Sequence, residues 1–109
     1  MSHVTTHVLD TTSGRPASGV VVMLEQAVGD PPVLGTATTD DDGRVAELGP
    51  DHLPPGTYRL RFNTGGYFAG TESPTFYPEV IVSFEVGDAG HCHVPLLLSP
   101  FGYSTYRGS

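Results

Sequence analysis

Residues 91–109, HCHVPLLLSPFGYSTYRGS, join reactive side chains to the strongest apolar run of the chain. Successive residues of an extended strand face opposite sides, so His91 and His93 share one face while Cys92 points away. A turn after the leucines leads into residues 103–107, which predict a second short strand rich in tyrosine, serine and threonine. The stretch therefore predicts two strands that present a pair of imidazoles beside a polar tail.

The rest of the chain also has the pattern of an all-β protein. Ten prolines and 14 glycines are spread throughout its 109 residues, and no window shows a sustained helical period. The length fits a single domain, residues 1–109. Six further strands are predicted at residues 3–9, 19–26, 33–39, 44–46, 56–63 and 78–86. Eight short strands with regular turns predict a β-sandwich of two four-stranded antiparallel sheets.

Alternation within the strands predicts which side chains face the core. In residues 56–63 we expect Tyr58, Leu60 and Phe62 to point inward and the arginines between them outward. Residues 40–43, DDDG, predict a hairpin-type turn that leads directly into Arg44. These aspartates lack the ligand spacing of a calcium loop. Residues 64–70 are predicted to form a loop or a single helical turn.

Charge and composition exclude several classes of partner. Five Lys and Arg against 12 Asp and Glu give a net charge of -7, which opposes binding to nucleic acid or to an anionic membrane. The apolar runs are too short to span a bilayer. The single cysteine forbids an internal disulfide, and no secretory leader follows Met1, so we expect a cytoplasmic protein.

Two histidines and one arginine are candidates for catalysis. His7 and His93 lie on different strands in polar surroundings, and a neutral imidazole can take a proton from a water that attacks a carbonyl. Arg44 offers planar, bidentate donors that never lose their charge, which suits an oxyanion or substrate clamp. The alternative interpretation is structural, with histidines satisfied at a sheet surface and a solvated arginine.

Other polar groups allow further hypotheses. His3 with His7 and His91 with His93 could together bind zinc, although no carboxylate lies beside either pair. Cys92 is predicted to be a small buried apolar residue, because no neighbouring motif resembles a nucleophilic cysteine site. The tyrosines and Arg107 of the tail either fill an interface or line a pocket with the histidines and an arginine.

The residues themselves carry a family resemblance. The segments THVLD (6–10), DGR (42–44), GGYF (65–68), FYPE (76–79), HCHVPLLLSP (91–100) and YRGS (106–109) together resemble the 5-hydroxyisourate hydrolases of the transthyretin-like family, which act in urate breakdown. The resemblance covers essentially the whole chain, and the final tetrapeptide is specific to the enzymes within that family. The chain departs from the family pattern at Cys92, where many members have an aromatic residue, and at Gly66, where an acidic residue is common.

The resemblance implies a structure and a set of site residues. The implied structure is a transthyretin sandwich with one short helix near residues 66–69, assembled as a homotetramer of two dimers with sites at the dimer–dimer interface. The implied catalytic residues are His7, Arg44 and His93. A substrate-binding tail closes the pocket and consists of Tyr106, Arg107, Gly108 and Ser109. No metal or other cofactor belongs to this mechanism, which disfavours the zinc hypothesis.

The implied reaction is hydrolysis of a cyclic amide of 5-hydroxyisourate to 2-oxo-4-hydroxy-4-carboxy-5-ureidoimidazoline. One histidine activates water while Arg44 opposes the charge on the attacked carbonyl. The main alternative is a transthyretin-type carrier that binds small aromatic ligands without turnover. The carrier lacks the YRGS ending and the catalytic histidines, both of which this chain has. A purely structural β-sandwich module is a third hypothesis.

Overall fold

A computed structural model describes residues 2–30, 32–88 and 90–109 of the chain. These residues form nine strands and one helix. The elements are β1 (Val4–Asp10), β2 (Arg15–Pro16), β3 (Val21–Gln26), β4 (Val33–Thr38), β5 (Arg44–Val45), β6 (Gly56–Phe62), α1 (Thr64–Gly70), β7 (Val80–Val86), β8 (Cys92–Ser99) and β9 (Gly102–Thr105).

The strands form two sheets. The first runs β2-β1-β8-β9, with β5 as a fifth strand beside β1, and the second runs β4-β3-β6-β7. The predicted all-β sandwich with one short helix is therefore confirmed. Two details differ from the prediction, because the first sheet has five strands and its central pair, β1 and β8, is parallel. Parallel pairing is possible because β1 and β8 stand far apart in the chain, so no hairpin dictates their direction.

The core lies between the inward faces of the two sheets. From the first sheet Val8 and Leu96 are fully buried, and from the second Leu24 and Leu60 are fully buried as well. Tyr58, Leu60 and Phe62 face inward, as their alternation predicts. The intervening arginines of β6 are half-buried on the outer face, where both lie close to Glu25. Period-two patterning thus sets the buried face of β6.

The predicted strand bounds agree with the observed ones to within about two residues, as is usual for element ends. The loop predicted after β1 contains an unpredicted short strand, β2, which extends the edge of the first sheet. The turns predicted at residues 29–32 and 87–90 include Pro31 and Ala89, which lie outside the described residues.

The helical turn predicted as one option for residues 64–70 is the seven-residue helix α1. Its first turn is capped by Asn63, whose side-chain oxygen accepts from the Gly66 amide at 3.0 Å. Phe68 is buried against the core, and the Tyr67 hydroxyl donates to Asp10 at 2.8 Å. Burial and this carboxylate raise the pKa of Tyr67 to about 12. The described part of the chain contains no helix long and apolar enough to cross a membrane.

The turn before Arg44 differs from the predicted hairpin. Strand β4 pairs with β3 in one sheet, whereas β5 pairs with β1 in the other, so the turn carries the chain from sheet to sheet. Asp40 holds the turn closed, because its carboxylate accepts from the Arg44 amide at 3.0 Å. The Gly43 carbonyl then accepts from the Val8 amide at 2.8 Å. These bonds fix Arg44 against β1.

Gly43 provides a test of this arrangement, with Gly14 as a matched control. Both have left-handed backbones, with φ of +73° and +74°, but a side chain at Gly43 would meet the Val8 carbonyl whereas one at Gly14 meets open space. Gly14→Ala should lower the free energy of unfolding by about 1 kcal/mol. Gly43→Ala should lower it by about 2–4 kcal/mol, since steric overlap adds to backbone strain. Urea denaturation measures both values, and equal losses would contradict the close packing.

Candidate active site

Strand β1 brings the predicted site residues to one face of the five-stranded sheet. His7 is paired with Arg44 of β5, and Thr5 is paired with His93 of β8. Residues paired across neighbouring strands project from the same side of a sheet. The alternating residue Thr6 is buried in the core, so the paired site residues lie on the sheet's outer face. Three strands from distant parts of the sequence therefore meet at this face.

His91 and His93 share a face, as their spacing predicts, and a threonine hydroxyl lies between them. The Thr5 Oγ1 atom is 2.8 Å from His91 Nε2 and 2.8 Å from His93 Nδ1. The two rings are stacked, with centroids 6.4 Å apart and planes 22° apart. Both imidazoles are thus held by a single residue of β1.

His93 has an electrostatic environment that favours its neutral form. Its partial burial lowers its pKa below the usual 6.5, and the nearby charges of His91, Arg44 and His7 lower it further. A backbone hydrogen bond with Thr5 acts in the opposite direction. His93 is therefore an imidazole that can accept a proton near neutral pH.

The tail is attached directly to this histidine. The Gly108 amide donates to the His93 carbonyl at 2.9 Å, forming an isolated β-bridge. A side chain on Gly108 would overlap the His93 ring, so glycine is required for this close approach. The bridge brings Ser109 into a cleft of about 260 Å³ that is also lined by Thr5, Arg44, His91 and His93.

The predicted site residues fall into two groups. His93, Arg44 and Ser109 line the cleft, and His7 lies beside it as the strand partner of Arg44. Tyr106 and Arg107 instead line a second cavity of about 410 Å³, between β7 and the tail, which His93 also borders. In the single chain the tail therefore contributes to two neighbouring spaces.

The remaining reactive groups have other surroundings. Cys92 packs against the core, as predicted for an apolar residue, but it is half-buried and not fully buried as the prediction had it. His3 contacts the ring of His52 and accepts from the Leu53 amide at 3.0 Å. Among residues 2–30, 32–88 and 90–109, no group of three or more His, Cys, Asp or Glu side chains could hold a metal ion. The four-histidine zinc hypothesis has no support in this arrangement.

Thr5 is a site residue to which the sequence analysis assigned no role, and His91 is one for which it offered only the zinc hypothesis. Alternation groups Thr5 with His7 on one face of β1, so a polar outer face was predictable. Its contact with the two histidines of β8 depends on the parallel register, which the sequence does not display. The arrangement as a whole offers a proton acceptor, an arginine and hydroxyl groups around one cleft.

Comparison with known proteins identifies close relatives of this chain. A family model described as HIUase/Transthyretin family matches residues 4–108. A 5-hydroxyisourate hydrolase of Salmonella dublin is 49% identical over 106 residues, which cover 94% of this chain and 78% of that relative.

Two solved structures have the same architecture. The 5-hydroxyisourate hydrolase of Klebsiella pneumoniae superposes with a TM-score of 0.89 at 38% identity, over 99% of this chain and 100% of that one. Sea bream transthyretin in complex with thyroxine superposes with a TM-score of 0.89 at 31% identity, over 97% of this chain and 94% of that one. The fold is thus shared by a protein named as a hydrolase and by one solved with thyroxine.

The environment of His93 leads to a titration prediction. By histidine NMR, the pKa of His93 should lie below 6.5, and Arg44→Gln should raise it by removing a nearby positive charge. Arg15→Gln, on an exposed strand of the same sheet, is the matched control and should leave it unchanged. Because the unfolded chain binds this proton more readily, His93 should make the folded state less stable as the pH falls below about 6.5. A His93 pKa above 6.5 would contradict this description.

Proposed function

This chain belongs to the HIUase/transthyretin family, and we propose that it is a hydrolase that converts 5-hydroxyisourate to 2-oxo-4-hydroxy-4-carboxy-5-ureidoimidazoline in urate degradation. The observation that carries the proposal is the meeting of His7, Arg44 and His93 on one sheet face beside the YRGS tail. Hydrolysis of a cyclic amide needs an activated water and a means of opposing negative charge on the carbonyl oxygen. Both requirements match side chains of this cleft.

The two histidines are the proposed activators of water. His93 has a lowered pKa and so presents a neutral imidazole to the cleft near neutral pH. His7 stands beside it on β1, close enough for its charge to affect His93. One imidazole accepts the proton of the attacking water while the other orients the water or the substrate.

Arg44 is the proposed electrostatic catalyst. The guanidinium remains charged at all relevant pH values and offers two parallel donors to the oxygens of the substrate ring. The Asp40 turn and the pairing with β1 fix its backbone, so little reorganisation is needed when charge develops on the attacked carbonyl. In a chain of net charge -7, this arginine also supplies the local attraction for an electron-rich substrate.

The tail is the proposed substrate-binding segment. Gly108 closes against His93 and brings Ser109 into the cleft, where its hydroxyl can bind the substrate edge. Tyr106 and Arg107 complete the segment at the neighbouring cavity. Together the four residues limit access of bulk water to the reacting carbonyl.

We further propose that the active protein is a homotetramer of two dimers, each chain a single domain over residues 1–109. Strands β7 and β9 end their respective sheets, and an edge strand offers unpaired backbone groups to another chain. Large aromatic side chains close to these edges are exposed, among them Phe76, Phe101 and Tyr106. Sites between dimers would then combine the outer faces of two five-stranded sheets. A cytoplasmic location suits the free thiol of Cys92.

The alternative to hydrolysis is a carrier function, in which the protein binds small aromatic ligands without turnover. It is motivated by the superposition on sea bream transthyretin in complex with thyroxine. A carrier would bind aromatic ligands saturably and leave 5-hydroxyisourate intact. The paired His7 and Arg44 and the tail bound to His93 favour the hydrolase instead.

Turnover of the unstable substrate tests the proposal directly. When 5-hydroxyisourate is generated in place by urate oxidase, adding the protein should speed the decay of its ultraviolet band well beyond the spontaneous rate. The activity should survive a chelator, because the mechanism uses no metal. An unchanged decay rate would refute the hydrolase proposal.

Substitutions separate the proposed roles within the same assay. His7→Asn and His93→Asn should each lower kcat at least about tenfold, since general acid-base help is worth about 10²- to 10⁴-fold. Arg44→Gln should lower it about 10²- to 10³-fold through lost charge stabilisation. Arg15→Gln, an exposed arginine on β2, is the control and should retain full activity. Full activity in both histidine variants would exclude their catalytic role.

Sedimentation tests the proposed assembly. The protein should sediment as four copies of an 11.5 kDa chain. Phe76→Ala should shift the population towards smaller species, because Phe76 is 73% exposed in the single chain and lies near the proposed interface. Val28→Ala, at a 90% exposed position, is the control. An active monomer would contradict an intersubunit site.

A further inference from the structure

The hydroxyl of Thr5 links the two histidines of β8 into a continuous chain of hydrogen bonds. Its Oγ1 atom lies 2.8 Å from a ring nitrogen of each, His91 Nε2 and His93 Nδ1. Thr5 is 9% exposed, whereas His91 is exposed to solvent and His93 is half-buried. This series of hydrogen bonds therefore runs from the half-buried His93 to the protein surface.

A hydroxyl carries one proton, so the two links cannot both be donated by Thr5. If His93 Nδ1 carries a proton and donates it to Thr5, the threonine can donate onward to His91 Nε2. His93 Nε2 is then left with a free lone pair that faces away from Thr5. This is the tautomer that a general base working through Nε2 requires.

We propose that His91 and Thr5 form a proton relay that holds His93 in its Nδ1-protonated tautomer and moves to His91 the positive charge that His93 gains from the attacking water, until the leaving nitrogen takes the proton. Neither residue touches the substrate in this scheme. Both act through His93, Thr5 as a positioning residue and His91 as the outer carrier of the charge. The inference rests on the proposed hydrolysis and deepens it.

The proton count of the reaction sets what the relay must do. As water adds, its oxygen bonds to the carbonyl carbon, its O–H bond breaks and the proton goes to His93 Nε2. The carbon–nitrogen bond then breaks, and the nitrogen takes this proton from His93 Nε2 as the carboxylic acid forms. The acid releases its own proton to bulk water at neutral pH, so His93 carries a positive charge only between the two transfers.

The relay carries the charge of protonated His93 by two short shifts. As Nε2 of His93 is protonated, its Nδ1 proton passes to Thr5 and the hydroxyl proton passes to His91 Nε2, so the positive charge moves to His91. When His93 Nε2 gives its proton to the leaving nitrogen, the reverse shifts restore the starting tautomers. Over the whole cycle no residue gains or loses a proton, and one proton of the attacking water ends on the leaving nitrogen.

The charges around His93 favour outward transfer. The charges of His91 on the same segment, Arg44 of β5 and His7 of β1 all act on His93, and Ser109 of the tail lines the cleft. A positive charge on His93 is disfavoured by its burial and by these neighbours. Moving the charge to His91 places it on an imidazole that is exposed to solvent, where water screens it better.

Tautomers can be observed directly by long-range proton–nitrogen NMR on histidine-labelled protein above the pKa of His93. Wild-type His93 should be the Nδ1-protonated form, and Thr5→Val should allow the Nε2-protonated form to appear. Thr5→Ser, which keeps the hydroxyl, should preserve the wild-type tautomer. Wild-type His93 protonated at Nε2 would overturn the proposal. This measurement requires no enzymatic activity, so it separates failure of the relay from failure of the proposed function.

Kinetics with matched variants test the transfer itself. Thr5→Val should lower kcat at least about tenfold with KM changed less than about threefold, and Thr5→Ser should recover most of the loss. His91→Gln retains an oxygen that can accept from Thr5 but cannot be protonated. The His91→Gln variant should keep His93 in its Nδ1-protonated tautomer and still lower kcat about tenfold. Thr38→Val, an exposed threonine on the other sheet, is the control.

A proton inventory in mixed light and heavy water completes the test. The wild-type plot should curve, because several protons move together, and the His91→Gln plot should be linear. Unchanged kcat in Thr5→Val or in His91→Gln, with the chain folded by circular dichroism, would overturn the relay.

Discussion

The parallel pairing of β1 with β8 sets the arrangement of the first sheet and of the candidate site. Its register joins the two ends of the chain and pairs Thr5 with His93. Two adjacent threonines of β1 make contacts on opposite faces of the sheet. On the core side, the Thr6 hydroxyl donates to the Val94 carbonyl at 2.6 Å. On the outer side, Thr5 contacts His91 and His93. A slip of one residue would exchange these faces, burying the imidazoles and exposing the core valines. The apolar core thereby holds the register of the candidate site.

The candidate site lies on the outer face of a sheet, where backbone geometry is rigid but solvent remains accessible. Arg44 comes from a two-residue strand that would have little stability alone. The Asp40 turn and the Val8 amide hold it in place. The tail is held similarly, by one bridge between Gly108 and His93. Short segments fixed to a central strand thus combine precision in the site with openness to the substrate.

The cleft has an electrostatic character unlike that of the chain as a whole. The chain carries a net charge of -7, whereas the cleft is lined by Arg44, His91 and His93, with His7 beside it. Burial and the nearby charges favour the neutral form of His93, so a cationic group and a proton acceptor lie together at this cleft. This combination distinguishes the cleft from a binding groove built for affinity alone, although the sandwich itself is shared with transthyretin.

Sequence patterns predicted the β-sandwich, the inward faces of strands such as β6, and the family with its candidate residues His7, Arg44 and His93. Period-two alternation, turn residues and the YRGS ending are local signals, and they remain visible without a structure. The parallel direction of β1 and β8, the crossing of the Asp40 turn between sheets and the bridging position of Thr5 are visible only in the folded chain. Strand partners distant in sequence are chosen by the packing of the whole core, so no local pattern specifies which outward side chains meet.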